Sequence, residues 1–311
     1  MDKNDIIVSI LCLAYNHEKY IRQCLEGFIL QKTNFAFEVI VHDDASTDNT
    51  AQIIKEYELK FPHIIKPIIQ KENQYSKQIP IGKTFLYPRA KGKYVALCEG
   101  DDYWIDPYKL QKQVDILENN IDNGLCYTKA KVYNQSKMQY ENYLIGEEIN
   151  SFEELLVANK IPTLTTLYRK DLYYKYINSI KPENKNWMMG DYPMWLWFSI
   201  NCKLVFLPEE TAVYRQLENS ASHFNNFEKH IAFTNSARDI RLFFLEYLKK
   251  EHLIEVVNNS YYRENLSFAE YKKLRMESLK CLFKIKNKTK KEILKCFLYL
   301  TNFGFSYLNK R

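Results

Sequence analysis

Three apolar, β-branched runs in the first third of the chain end in the same way, and this pattern constrains the fold most. "IIVSILCLAYN" (6–16), "FEVIVHDDAS" (37–46) and "KYVALCE" (93–99, followed by Gly-Asp-Asp) each break off into polar or acidic residues. Continuous apolar runs of this length read as strands buried on both faces, the pattern of a parallel sheet. The segments between them carry helical spacing. "EKYIRQCLEGFILQ" (18–31) places Ile21, Leu25, Phe28 and Ile29 on one face. "STDNTAQIIKEYELKF" (46–61) opens with Ser46 or Thr47 as a cap and Asp48 at the positive end of the dipole. "IIKPIIQ" (64–70) predicts a third strand, and "PYKLQKQVDILENN" (107–120) a helix with proline in its first turn. The sum is an α/β fold with a mainly parallel central sheet flanked by helices. Such sheets bind ligands beyond the carboxyl ends of their strands, where "AYN", "HDDAS" and "EGDD" fall.

After residue 125 the pattern loosens. A strand is expected over 125–134 and a short helix over 151–159, with a capping box from Ser151 to Glu154. A strand and helix follow over 163–176. "GDYPMWLWFSIN" (190–201) sets Asp191 at the start of an aromatic helix, and 202–223 reads as a strand and then a polar segment. From about 226 the chain is helical and lysine-rich. Residues 241–311 hold 16 Lys/Arg and 7 Asp/Glu, so the tail carries +9 although the whole chain carries only +6. The seven cysteines are scattered without a CxxC, as expected of free thiols in a reducing cytoplasm. No run is long and apolar enough for a membrane span, and the start of the chain reads as a strand and not a signal peptide.

Glu99, Asp101 and Asp102 crowd three like charges into four positions. Acids clustered at a strand end suit Mg²⁺ or Mn²⁺ beside a diphosphate, because hard cations take oxygen ligands; a solvated, helix-capping turn is the alternative. Asp43 and Asp44 close the second strand. One of them can accept a hydrogen bond from a base imide N–H, or both can be turn residues. The aromatics Tyr103, Trp104, Trp187 and Trp195 are either sugar-stacking surfaces or core.

Taken in order, "VSILCLAYNHEKYIRQCLEGFILQ", "FEVIVHDDASTDNT", "AKGKYVALCEGDDYW" and "GDYPMWLW" resemble the inverting family 2 glycosyltransferases of the GT-A fold, especially bacterial polysaccharide-building members. The resemblance covers about 5–225. It implies a GT-A, Rossmann-like domain over 1–225, with a nucleotide-binding half to about 105 and an acceptor half over 106–225, followed by a basic helical extension over 226–311. It implies Ala14 and Tyr15 at the nucleotide base, Asp44 reading its ring, Glu99 and Asp101 near ribose and sugar-phosphate, and Asp102 as metal ligand. Asp191 matches the general base, with partial burial among aromatics expected to raise its pKa. Arg215 and His223 are candidate phosphate contacts, with a plain surface loop as the alternative. Two departures stand out: Glu99 where many members have Asp, and "NQYSKQIPIGKTFLYPRA" (73–90), which lacks the family's usual Asn-Gly and Ala-Arg-Asn pattern.

The implied reaction moves a sugar from a nucleotide-diphosphate donor, UDP-linked by default, to a hydroxyl of a glycan or lipid-linked acceptor in cell-surface polysaccharide assembly. A nucleotidyltransferase is the first alternative, but its glycine-rich phosphate loop is replaced here by "AYNHEKY" (14–20). A non-catalytic sugar-nucleotide binder is the second. Nucleic-acid binding is not expected, because the basic residues are diffuse. The basic tail has two readings: a helical cap with a solvated lysine face, or a peripheral contact at the inner face of the membrane.

Overall fold

The computed structural model describes residues 5–218 and 226–300, so His223 and the last eleven residues lie outside the described part. The elements run β1 (Ile6–Ala14), α1 (Ile21–Ile29), β2 (Ala36–Asp43), α2 (Thr50–Lys60), β3 (Ile65–Ile69), β4 (Tyr94–Leu97), β5 (Tyr103–Trp104), α3 (Lys109–Asn119), β6 (Asn123–Asn134), β7 (Gln139–Ile145), α4 (Phe152–Val157), β8 (Leu167–Arg169), α5 (Lys170–Ile180), α6 (Tyr192–Asn201), β9 (Lys203–Gln216), α7 (Phe227–Tyr247), α8 (Ile254–Tyr271), α9 (Arg275–Lys284) and α10 (Lys290–Leu300).

The chain divides into two compact units. The first comprises 1–152, 160–184 and 197–217; the second comprises 153–159, 185–196 and 218–311. All strands belong to the first unit, in one sheet of order β3-β2-β1-β4-β8-β6-β9-β5, with β7 added to β6. The β3-β2-β1-β4 half is parallel throughout. The rest is mixed, with β8 antiparallel to both β4 and β6, and β9 parallel to β6. The apolar runs are buried as their composition requires: Val8, Ile10 and Cys12 of β1, Val39 and Val41 of β2, and Tyr94 and Ala96 of β4 join Ile21, Leu25 and Phe28 of α1 in one core.

At the foot of β1 the buried Glu38 carboxylate accepts from Ser9 Oγ (2.7 Å) and from the Lys91 amide (2.8 Å), while Ser9 Oγ accepts from the Gly92 amide (2.9 Å). A Cβ on Gly92 would stand 2.5 Å from the Ser9 nitrogen, so only glycine lets the chain enter β4 here.

Two sequence expectations are corrected. Ser46 and Thr47 do not cap α2; its N-cap is Asn49, without a side-chain cap bond. Both side chains are drawn into loop-to-loop bonds instead, as described below. The loop expected around Arg215 also begins later, because β9 runs on to Gln216 and Arg215 lies in the strand. Its pairing with β6 shifts register between Leu207 and Glu210, so Pro208 and Glu209 sit in a bulge. A proline is tolerated there because it owes no ladder hydrogen bond.

The second unit is helical. Its described core includes Leu266, Leu279, Leu282 and Tyr299 of α8, α9 and α10, with Ile285 just after α9. Among the described residues no helix is long and apolar enough to cross a membrane.

Candidate active site

The loops that follow β1, β2 and β4 meet at one end of the sheet in the first unit. After β1, Asn16 adopts a left-handed conformation (φ 55°), which asparagine tolerates better than most residues. Its amide donates to Ser46 Oγ (2.9 Å), and its side-chain oxygen accepts from the Thr47 amide (2.8 Å). Glu18 repeats the exchange: its amide donates to Asp48 Oδ2 (3.0 Å) and its carboxylate accepts from the Asn49 amide (3.1 Å). Thr47 Oγ1 also donates to Asn16 Oδ1 (3.3 Å); these bonds stitch the β1 and β2 loops together, and they outcompete the capping role expected of Ser46 and Thr47.

Ala14 is buried, and its carbonyl accepts from the Asp44 amide (3.0 Å); the neighbouring Tyr15 is half exposed. The Asp44 carboxylate is buried and accepts from the Gln74 (2.7 Å) and Tyr75 (3.0 Å) amides, while Asn73 Nδ2 donates to its carbonyl (3.1 Å). Asp44 thus shapes the segment after β3, where Tyr75 stands largely in solvent. Asp43 serves the turn itself, accepting from Ser46 Oγ at 2.5 Å. In the stretch that departs from the family pattern, residues 82–89 form a π-helical turn and a 3₁₀ turn, with Arg89 exposed.

Beyond β4 the chain turns sharply, with the Gly100 amide donating to Leu13 O (2.8 Å) and the Asp102 amide to Glu99 O (3.1 Å). A Cβ on Gly100 would lie 2.9 Å from His17 Nδ1 and 3.2 Å from Ala14 Cβ, so glycine lets the turn close against the β1 loop. Glu99 is exposed, Asp101 half-buried and Asp102 buried, yet each can present an oxygen within 4.8 Å of the others. Among the described residues no other trio of His, Cys, Asp or Glu side chains has this geometry. Burial pushes the Asp102 carboxyl well up, and the charges of Asp101 and Glu99 push it further. An all-oxygen donor set under mutual repulsion fits a hard divalent cation such as Mg²⁺ or Mn²⁺. His17 Nε2 stands 4.0 Å from Asp101, but burial outweighs the surrounding acids and lowers its pKa, which favours the neutral ring.

Arg215 lies behind this turn. β5 runs antiparallel to β9, pairing Tyr103 with Val213, which brings Arg215 alongside Asp101 and Asp102. Its amide donates to Asp102 Oδ1 (2.7 Å) and its Nε to the Asp101 carbonyl (2.7 Å). Its terminal nitrogens donate to Gln135 (2.9 Å) and Gln23 (2.7 Å), and the guanidinium sits 4.9–5.8 Å from the ring centres of Tyr20, Tyr103 and Tyr133. Only 6% of Arg215 is exposed. Sequence reasoning missed Gln23, Gln135 and this tyrosine cage, because residues up to 192 positions apart leave no local signal of contact.

Asp191 belongs to the second unit. It is half-buried and opens α6: its Oδ1 accepts from the Tyr192 amide (2.7 Å) and its carbonyl from the Trp195 amide (3.0 Å). The Tyr192 hydroxyl donates to Leu155 O (2.9 Å) and accepts from Arg241 Nε (3.0 Å). Trp187 packs edge-on against Phe243. Trp195 and Trp197 are both buried, as expected of a helix that is apolar all round. Trp104 is buried too, with Nε1 donating to Leu164 O (2.8 Å), which makes it a core residue.

Residues 9–177 match the family model described as glycosyl transferase family 2. An uncharacterized protein of Mycobacterium tuberculosis is 36% identical over 220 residues, 70% of this chain and 60% of that protein. The chain therefore spans about 60% of the length of the curated relatives it matches first. The UDP-Glc:alpha-D-GlcNAc-diphosphoundecaprenol beta-1,3-glucosyltransferase WfaP of Escherichia coli is 33% identical over 142 residues, 46% of this chain and 48% of that one. Among solved structures, S. aureus TarS 1-349 in complex with UDP-GlcNAc superposes with a TM-score of 0.64 over 98% of this chain and 93% of the other, at 18% identity. At that identity the likeness concerns the fold, which is the GT-A α/β fold.

Proposed function

Because the chain belongs to glycosyl transferase family 2, we propose that it moves a sugar from a nucleotide-diphosphate donor to a hydroxyl of a glycan or lipid-linked acceptor, with inversion, in bacterial cell-surface polysaccharide assembly. The observation that carries this reading is the acidic turn of Glu99, Asp101 and Asp102 beside the joined β1 and β2 loops. The named activity of WfaP, a glucosyl transfer from UDP-Glc to a diphosphoundecaprenol-linked sugar, supports the donor and acceptor classes. The catalytic domain is taken as 1–225 and the basic extension as 226–311.

Ala14, Tyr15 and Asp44 are assigned to the nucleoside, with Asp44 also holding the segment at Tyr75. Glu99 and Asp101 are assigned to ribose and sugar-phosphate. Mg²⁺ or Mn²⁺, when bound, would be held by Asp102 with its acidic neighbours and would supply positive charge against the leaving diphosphate. Asp191 is assigned the base. An alcohol is a weak nucleophile, so a carboxylate takes its proton as the oxygen bonds to the anomeric carbon. The bond from that carbon to the diphosphate oxygen breaks on the opposite face, and the centre inverts without a covalent enzyme intermediate. His223 remains a candidate phosphate contact. Arg215 is better read as a support for the acidic turn, because three of its N–H groups are already taken by protein oxygens. All seven cysteines are free, which supports a reducing, cytoplasmic location.

Hydrolysis and transfer from UDP-, GDP- and dTDP-sugars with Mn²⁺ test the reading. Wild type is expected to release nucleoside diphosphate from one donor class, and Asp102→Asn to lose this Mn²⁺-dependent release by about 100-fold or more. Asp191→Asn is expected to bind donor normally and lose transfer by about 10²–10⁴-fold. Full transfer by Asp191→Asn would remove its base assignment. Formation of a nucleotide sugar from a nucleoside triphosphate and a sugar phosphate would establish the nucleotidyltransferase alternative.

A further inference from the structure

Helix α10 presents its faces in an unusual way. Its polar face points inward: Glu292 accepts from Arg263 Nε (2.8 Å), and Glu270 of α8 pairs with Lys295 (2.6 Å) and accepts from the Tyr299 hydroxyl (3.0 Å). Its apolar stripe points outward, with Ile293, Leu294, Phe297 and Leu300 at 56%, 57%, 64% and 59% exposure. These positions recur at the three- and four-residue spacing of one helix face. Phe283 of α9 is exposed to a similar degree, 62%. From the last residue of α9 into the first turn of α10 runs "KIKNKTKK" (284–291), five lysines without an acid. Lys284, Lys286, Lys290 and Lys291 are exposed, and only Lys286 meets a carboxylate among the described residues, Glu255 at 3.7 Å.

From these two features together we infer that the α9–α10 face docks on a lipid bilayer bearing anionic headgroups. A helix that turns large apolar side chains to solvent next to a block of cations matches an interfacial membrane contact: apolar residues enter the acyl boundary while lysines meet the headgroups. A second copy of the chain fits less well, because a two-fold contact through this stripe would bring two lysine runs together. A nucleic acid would engage the lysines but leave the apolar stripe in water. The inference stands apart from the proposed transfer reaction, since lipid docking needs neither donor nor metal.

The test is sedimentation of the full chain with vesicles of phosphatidylcholine alone or mixed with phosphatidylglycerol, without donor or Mn²⁺. Binding to the mixed vesicles is expected to be at least about tenfold tighter and to collapse at ~1 M salt, where the screening length falls to ~3 Å. The doubly substituted chain Ile293→Asp, Leu294→Asp is expected to lose binding with an unchanged melting temperature, since both sites are exposed. Lys290→Glu, Lys291→Glu is expected to lose the preference for anionic vesicles. Absence of binding to the mixed vesicles overturns the inference. So does a lipid-free dimer that the Ile293→Asp, Leu294→Asp chain no longer forms, or vesicle binding that survives both pairs of substitutions.

Discussion

Each acid of the turn after β4 has a distinct setting, and the settings predict distinct losses. Asp102 is buried, and its Oδ1 takes the Arg215 amide; Glu99 is exposed. Arg215 reaches the turn through its own backbone and through the Asp101 carbonyl, so it should act on the geometry of the acids and not on the donor directly. Arg215→Lys keeps the charge but cannot reproduce the fork to Gln23 and Gln135. It is expected to weaken Mn²⁺ binding by about 10-fold or more, the usual cost of losing a partner that orients ligands, while UDP affinity measured in EDTA is unchanged. Calorimetry of both ligands checks this; a matching fall in metal-free UDP affinity would favour the phosphate-contact role. The acids themselves were legible because like charges adjacent in sequence are a local signal. The cage of Tyr20, Tyr103 and Tyr133 was not, since its rings come from three separate places, the start of α1, β5 and β6.

Among the elements, β1, β2 and β4 were readable because strands buried on both faces are dominated by apolar, β-branched residues, with polar exceptions such as Ser9 and Glu38 paired to each other. β5 was not readable: two residues, Tyr103 and Trp104, are too short for any periodicity, and only pairing with Ala212 and Val213 makes them a strand. β7 was missed for a related reason. It pairs with β6 alone and is mostly exposed, so no burial pattern marks it. The entry into β4 carries a prediction of its own. Gly92→Ala places a methyl group against the backbone of Val8 and Ser9, with no flexible side chain to move aside. It is expected to cost at least ~2 kcal/mol in urea-induced unfolding and to part β1 from β4. A variant as stable as wild type would mean that this edge relaxes freely.

For the whole molecule, the buried Lys109 links stability to pH. It is fully buried, its Nζ donates to Gln113 (2.8 Å) and lies 4.1 Å from the Trp104 ring centre, and burial lowers its pKa to about 7. Below about 7 both folded and unfolded chains hold the proton, and the full cost of burying a cation is felt. Between about 7 and the ordinary lysine value only the unfolded chain holds it, so stability rises with pH, by at most about 1.4 kcal/mol per unit. Lys109→Met removes this slope. Wild type is therefore expected to gain melting temperature relative to Lys109→Met from neutral to alkaline pH, and parallel curves would refute the coupling. The sequence alone determined the parallel half of the sheet, the acids at its strand ends and the basic tail, because each is written in residues adjacent along the chain. Tertiary structure alone decided that Ser46 and Thr47 bind the β1 loop instead of capping α2, that Arg215 braces the acidic turn, and that α10 turns its apolar face outward. Those outcomes depend on which partners reach each group in space, and hydrogen bonds and burial are settled by that competition.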